Sequence, residues 1–128
     1  NSMPYSIEAE ESLLGAMLQN NQAISIALSK INSKDFYNEE IKYYTKAYRL
    51  GNKEDVNGEL VLRYLKENGL FEKVFQNDEA YLMRIIDGTP FYQNAKYYSE
   101  VIAEKSLLRD LIFASQDIQK SAYEAKDS

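Results

Sequence analysis

From Asn94 to Ser121 the sequence contains neither proline nor glycine. At roughly 1.5 Å of rise per residue, that uninterrupted run of about 28 residues makes a single helical rod on the order of 42 Å long. A rod of that length outruns the body that the remaining residues can build, so the fold is decided by what covers it. Val101, Leu108, Leu111, Ile112 and Ile118, continued by Ala122, recur along it with a spacing near the heptad. The stripe beyond about Leu108 therefore needs a surface other than the chain's own body.

Upstream, two prolines and five glycines punctuate the chain, and β-branched residues are scattered instead of gathered into alternating runs. Helix is the expected element throughout. Ser6 caps a first helix carrying Glu8, Glu10 and Glu11 in its opening turn, with Ile7, Leu13, Leu14, Met17 and Leu18 as its apolar positions. A second helix spans about Ala23 to Lys30 and breaks at Asn32-Ser33. Asp35-Phe36-Tyr37 then forms a connector with a large apolar anchor. Asn38 caps a third helix through Ile41, Tyr44, Tyr48 and Leu50, which Gly51 ends. A fourth opens at Asn57 or Gly58, buries Leu60, Val61, Tyr64 and Leu65, and closes at Asn68-Gly69. Leu70, Phe71, Val74 and Phe75 make an apolar patch. A fifth helix, capped at Asn77-Asp78, runs through Tyr81, Leu82, Ile85 and Ile86 to Gly88, and Pro90 restarts the chain. The expected architecture is all-α: a compact bundle of about five or six helices followed by one long helix.

With 128 residues, 45% of them hydrophobic and 27% charged, the chain has the composition of one globular domain with its own core. Fifteen Lys and Arg against twenty Asp and Glu give a formal charge of −5, a field that repels phosphate and argues against tight nucleic-acid binding by this chain alone. The absence of Cys and His removes disulfides, thiol nucleophiles, imidazole bases and nearly every metal site built on nitrogen or sulfur. No window reaches 18 apolar residues, and no basic-then-apolar leader opens the chain; the expected setting is the cytoplasm, with no membrane partner. Asn1 and Ser2 ahead of Met3 read as a vector remnant.

No glycine precedes Lys-Ser or Lys-Thr, so the phosphate loop that nucleotide hydrolysis needs is missing. The carboxylates Glu8, Glu10 and Glu11 read as a solvated acidic first turn, as do Glu39-Glu40 and the group Glu54, Asp55, Glu59, since no base or ligand of another type accompanies them. The eleven tyrosines, among them Tyr43-Tyr44, Tyr48, Tyr64, Tyr81 and Tyr97-Tyr98, fall mostly on apolar stripes and read as core rings with hydroxyls at the core edge. The expected catalytic, cofactor-binding and metal residues are none. Two alternatives stay open: a single-strand binder that stacks bases on tyrosines, and a small carboxylate-dependent enzyme.

The order of motifs resembles the N-terminal domain of bacterial replicative DNA helicases of the DnaB family. Pro4, Ile7-Glu8-Ala9-Glu10 and Leu14-Gly15-Ala16-Met17 stand for that family's opening helix. Asp35-Phe36-Tyr37 matches its connector, Asp55-Val56 the step before its fourth helix, and Leu65 with Gly69-Leu70 the close of that helix. Ala80-Tyr81-Leu82, Pro90, Asn94, Tyr97-Tyr98, Val101, Glu104-Lys105 and Arg109 follow in order. The likeness covers about Pro4 to Ser115. It departs at Glu40 or Ile41, where many members carry His, and at Asn57-Gly58, which replaces a β-branched helix start.

The resemblance implies a non-catalytic piece of a motor enzyme. Residues 4–92 would be the helical body, 93–121 the first arm of a helical hairpin, and 122–128 the turn before a second arm. It implies pairing of such domains into the collar of a hexamer, with Val101, Leu108, Leu111, Ile112 and Ile118 as the candidate interface. It also implies docking of the C-terminal domain of primase, on a face the sequence leaves unknown. This chain would hold no cofactor, whereas ATP, Mg and DNA would belong to a separate motor domain.

Overall fold

The structure, a computed structural model, describes residues 2–42, 45, 63, 65–76, 78–88 and 94–127. Among them there is no strand, as expected of an all-α chain. Helix α1 (Ile7–Gln19) begins at Ser6, whose Oγ accepts from the Ala9 N–H at 3.1 Å. Asn20 ends α1 by donating its N–H to Ala16 O at 3.1 Å, and its side chain accepts from the Gln22 N–H at 2.7 Å to open α2 (Asn21–Lys30). One residue thus serves both helices, and the chain turns without a loop. A 3-10 turn, Ser33–Asp35, follows with a reciprocal capping box between Asn32 and Asp35.

Asn38 is the expected cap: its Oδ1 accepts from the Ile41 N–H at 2.9 Å, residues 39–42 are helical and Ile41 is buried. The rest of that helix (Tyr44, Tyr48, Leu50, Gly51), the start of the fourth (Asn57, Gly58, Leu60, Val61, Tyr64) and the restart at Pro90 lie outside the described residues. Leu65, helical and buried, belongs to the core. Where an apolar patch was expected, a short helix α3 (Leu70–Phe75) buries Phe71 and Phe75. It is entered through Gly69 at φ 68° and left through Gln76 at φ 54°. The first of those angles suits glycine, and the second strains a residue with a Cβ. Helix α4 (Glu79–Asp87) is capped by Asp78, which accepts from the Ala80 and Tyr81 N–H groups, and ends at Gly88.

Helix α5 (Ala95–Lys126) is 32 residues long, about 48 Å. Its end corrects the sequence reading, because 122–126 continue the helix instead of turning after Ser121. Serine is a weaker helix former but not a breaker. Ala122, Glu124, Ala125 and Lys126 all favour helix, and Lys120 pairs with Glu124 one turn on, at 3.9 Å.

The body forms where α1 packs against α2, α4 and α5, with α2 also against α5. Leu13, Leu14, Met17, Leu18, Phe36, Leu82, Ile85 and Ile102 are among its buried residues. The buried line of α5 is Ala95, Ser99, Ile102, Ser106 and Arg109, a 4-3-4-3 spacing that keeps one side of the helix on the body. After Arg109 no described residue of α5 is buried. The last 17 or so residues, about 25 Å of helix, project as an arm.

The acidic first turn of α1 is not uniformly solvated, which corrects a second expectation. Glu8 is exposed, but Glu10 is 1% exposed and its two carboxylate oxygens accept from the Tyr37 and Asn38 N–H groups, each at 2.9 Å. It shares a face with Leu13, Leu14 and Met17, three, four and seven residues on, and that is the core face. Glu11, half-buried, accepts from the Tyr81 hydroxyl at 2.7 Å, tying α1 to α4. Burial, and then the Glu11 carboxylate, push Tyr81 up from 10.0 to about 12.

Two expected outcomes follow from this packing. Ile102→Ala should lower unfolding stability in urea by about 2–5 kcal/mol, whereas Ile118→Ala should change it by less than about 0.5 kcal/mol. Similar losses at both would mean that the arm belongs to the core of the monomer. The second outcome concerns alkaline pH. Because folding raises the Tyr81 pKa, the stabilisation from its neutral phenol is complete below pH 10 and disappears as pH climbs toward 12. Across that window the urea midpoint of the wild type should fall more steeply than that of Tyr81→Phe, and parallel curves would contradict it.

Candidate assembly and docking surface

The arm carries its apolar residues bare. Leu107, Leu111 and Ile118 are 59%, 58% and 72% exposed, and with Ala114 they follow a 4-3-4 spacing on the side of α5 turned away from the body. Leu108 flanks this seam. Of the expected interface residues, Leu108, Leu111 and Ile118 therefore share the bare side of one helix, with Ile112 half-buried at its edge. Val101 stands apart, on the embedded half of α5, where it packs against the core. Leu107 is absent from the expected set. Its 4-3-4 relation to Leu111 and Ile118 is the signal that finds it.

At the root of the arm three segments meet on one side chain. Arg109, 7% exposed, donates from Nη1 to Pro4 O at 2.9 Å and from Nη2 to Asp35 O at 2.6 Å. Its guanidinium also lies 5.5 Å from the centre of the Tyr37 ring, which attracts a cation to its face. One turn earlier, Ser106 donates its hydroxyl to Asp35 Oδ1 at 2.7 Å. The Asp35-Phe36-Tyr37 connector is thus a junction: Asp35 holds α5, Phe36 is buried in the core, and the Tyr37 backbone is held by Glu10. Tyr37 stacks on Tyr5 with ring centres 4.2 Å apart and planes 8° from parallel. Beside them a groove of about 700 Å³, lined also by Arg109, Asp110 and Phe113, opens on the body side of the arm.

Some of the described carboxylates and tyrosines are engaged in structure, as Glu10, Glu11 and Tyr81 are, whereas Glu8 and Tyr97 are exposed. Glu39 pairs with Lys42 at 3.3 Å, and among the described residues no group of three His, Cys, Asp or Glu comes together to hold a metal ion. Glu54, Asp55, Glu59, Tyr43, Tyr44, Tyr48 and Tyr64 lie outside the described residues. Tyr97 is exposed and edge-on to Tyr98 at 5.7 Å, on the first turn of α5. No described helix is long and apolar enough to cross a membrane. What the arrangement offers is contact area: an apolar seam on one side of the arm and an aromatic groove on the other.

Comparison with known proteins agrees with the motif order. Residues 2–104 match the family model of the DnaB-like helicase N-terminal domain. The chain is 32% identical over 126 residues to the replicative DNA helicase DnaC of Bacillus subtilis, a match covering 97% of this chain and 27% of that protein. It is 32% identical over 122 residues to the replicative DNA helicase DnaB of Mycobacterium leprae, covering 94% and 20%. The crystal structure of the N-terminal domain of DnaB helicase from Mycobacterium tuberculosis superposes with a TM-score of 0.83 at 29% identity, covering 99% of this chain and 91% of that one. The chain thus spans about a quarter of the length of the curated relatives it matches. With a family model matched over most of its length and an all-α architecture to go with it, the chain belongs to the DnaB-like helicase N-terminal domain family.

Proposed function

We propose that this chain is the non-catalytic assembly and docking domain of a cytoplasmic replicative DNA helicase. In this reading it pairs with further copies of itself to build a hexamer collar and offers a landing place for primase. ATP, Mg and DNA are handled by a separate motor domain. The observation that carries the proposal is the bare seam of Leu107, Leu108, Leu111 and Ile118 on a helix that leaves its own body at Arg109. Each such side chain gains roughly 1.5–3 kcal/mol on leaving water, and a contiguous row of them is seldom left exposed on a monomer. Ile112 borders this surface and Val101 stands apart from it, packed against the core; both are expected to feel pairing less than the seam does.

The reading also accounts for the charge, which does not favour DNA, and for the missing phosphate loop. The alternatives fit less well. A base-stacking surface would need a positive groove beside its tyrosines. A carboxylate enzyme would need paired acids facing an open cleft, yet Glu10 and Glu11 are bound to Tyr37, Asn38 and Tyr81.

In sedimentation, the wild-type chain should associate as its concentration rises. Leu111→Glu with Ile118→Glu should remain monomeric while keeping its helical circular dichroism, because both positions are exposed in the monomer. A wild-type chain that stays monomeric at high concentration would refute self-pairing through the seam. Purified chain should also release no phosphate from ATP, and turnover that scales with this protein would refute the non-catalytic part.

A further inference from the structure

Among the described residues Arg109 is a buried cation with no ion-pair partner. Of the five N–H donors of a guanidinium, two are taken by the neutral carbonyl oxygens of Pro4 and Asp35. Among the described residues no carboxylate lies within 4 Å of it. The Asp35 carboxylate is occupied by the Ser106 hydroxyl and the Asn32 N–H. A charge this far from water is ordinarily paired. Among the described residues, no buried side-chain nitrogen or oxygen lacks a hydrogen-bond partner. Nη1 and Nη2 each hold one carbonyl, so the nitrogen left without a partner is Nε, which must then reach open space; Arg109 lines the groove at the root of the arm.

The walls of the groove are aromatic and already held in place. Tyr5 and Tyr37 are stacked, yet each is exposed over more than two-fifths of its surface, and Phe113, one turn beyond Arg109, is 52% exposed. Glu10 fixes the Tyr37 backbone, and Arg109 holds the carbonyl of Pro4, next to Tyr5. A ligand that packs on these rings has little left to order, which favours binding. Phe113 follows the body-facing line of α5, whereas Leu107, Leu111 and Ile118 lie on the far side, so a copy paired through the seam leaves the groove open.

The geometry points to a docking groove for a segment of a partner protein in which an Asp or Glu side chain adjoins a large apolar one. The carboxylate meets Arg109, and the apolar group lies on Tyr5, Tyr37 and Phe113. Lys34 and Lys42 line the groove as well, offset by Glu39, Glu40 and Asp110; Arg109 is the cation that lies against the Tyr37 ring, so a carboxylate next to a large apolar group is best seated there. This inference rests on the docking role proposed above and assigns it a face.

The test uses the whole 128-residue chain and two capped peptides, acetyl-Ser-Glu-Trp-Leu-Ser-amide and its Gln counterpart, followed by amide chemical shifts. The Glu peptide should perturb Tyr37, Asp110 and Phe113 and bind about tenfold more tightly than the Gln peptide, the margin of one charge-assisted hydrogen bond. Phe113→Ser, which lies beyond the last buried residue of α5, should weaken it about two- to tenfold. Leu111→Glu with Ile118→Glu should bind it as the wild type does, so that a failure of self-pairing and a failure of this groove are read separately. Equal binding of the two peptides, an unaffected Phe113→Ser, perturbation along Leu107–Ile118 instead, or displacement of the peptide by raising protein concentration would each overturn the assignment.

Discussion

The seat of the long helix depends on a carboxylate carried by another helix, Glu10 of α1. As the chain leaves the 3-10 turn at Ser33–Asp35, the N–H groups of Tyr37 and Asn38 point into the body, where no strand or helix can take them. Glu10 accepts both. With that backbone fixed, Phe36 fills the core and Asp35 turns its carbonyl and carboxylate toward Arg109 and Ser106 of α5. Both donors are part-buried, so leaving them unpaired costs at most roughly 1–3 kcal/mol each, the figure for full burial. Removing Glu10 would therefore disturb more than α1; it would loosen the connector on which α5 rests.

How much of this could be read in the residues depends on how local each cause is. The caps at Ser6, Asn38 and Asp78 were legible because each rests on a side chain within three residues of the backbone it serves, and the stop at Gly88 because glycine is a poor helix former. The length of α5 was legible because nothing breaks it. Its body-facing side was not, because that side is written in Ala95, Ser99, Ser106 and Arg109, which hydropathy reads as neutral or polar. The visible stripe of Leu and Ile lies on the opposite side, and Val101 joined it by spacing although it packs against the core. Glu10 was misread because helix polarity explains an acid in a first turn equally well wherever it points. Its spacing to Leu13 and Leu14 was the better clue. The groove was not legible at all, since Tyr5, Tyr37 and Phe113 come from three distant segments that only the junction at Asp35 brings together.

The two halves of α5 are helical for different reasons. Up to Arg109 the helix is held by burial against α1 and α2. Beyond it no described residue is buried, and a free segment of about 17 residues would be only marginally helical in water, chiefly because nucleation is costly. Here the embedded half supplies the nucleus, and the arm adds one hydrogen bond per residue on a run of good helix formers. The arm can therefore present its seam already ordered, so that a partner need not supply the ordering free energy as it would for a disordered tail.

Folding and association are therefore separable by position along one helix. A change at Ile102 acts on the body, and a change at Ile118 acts on whatever meets the arm. Arg109 stands between these regimes, because it is at once the last residue packed on the body and the first wall of the open groove. Any contact that completes its charge also tightens the tie between the N-terminal segment, the connector and α5. A ligand that binds only the folded chain must stabilise it by linkage. Docking at this junction and the stability of the arm's root are thus thermodynamically coupled, whereas pairing through the seam, on the other side of the arm, makes no contact with that junction.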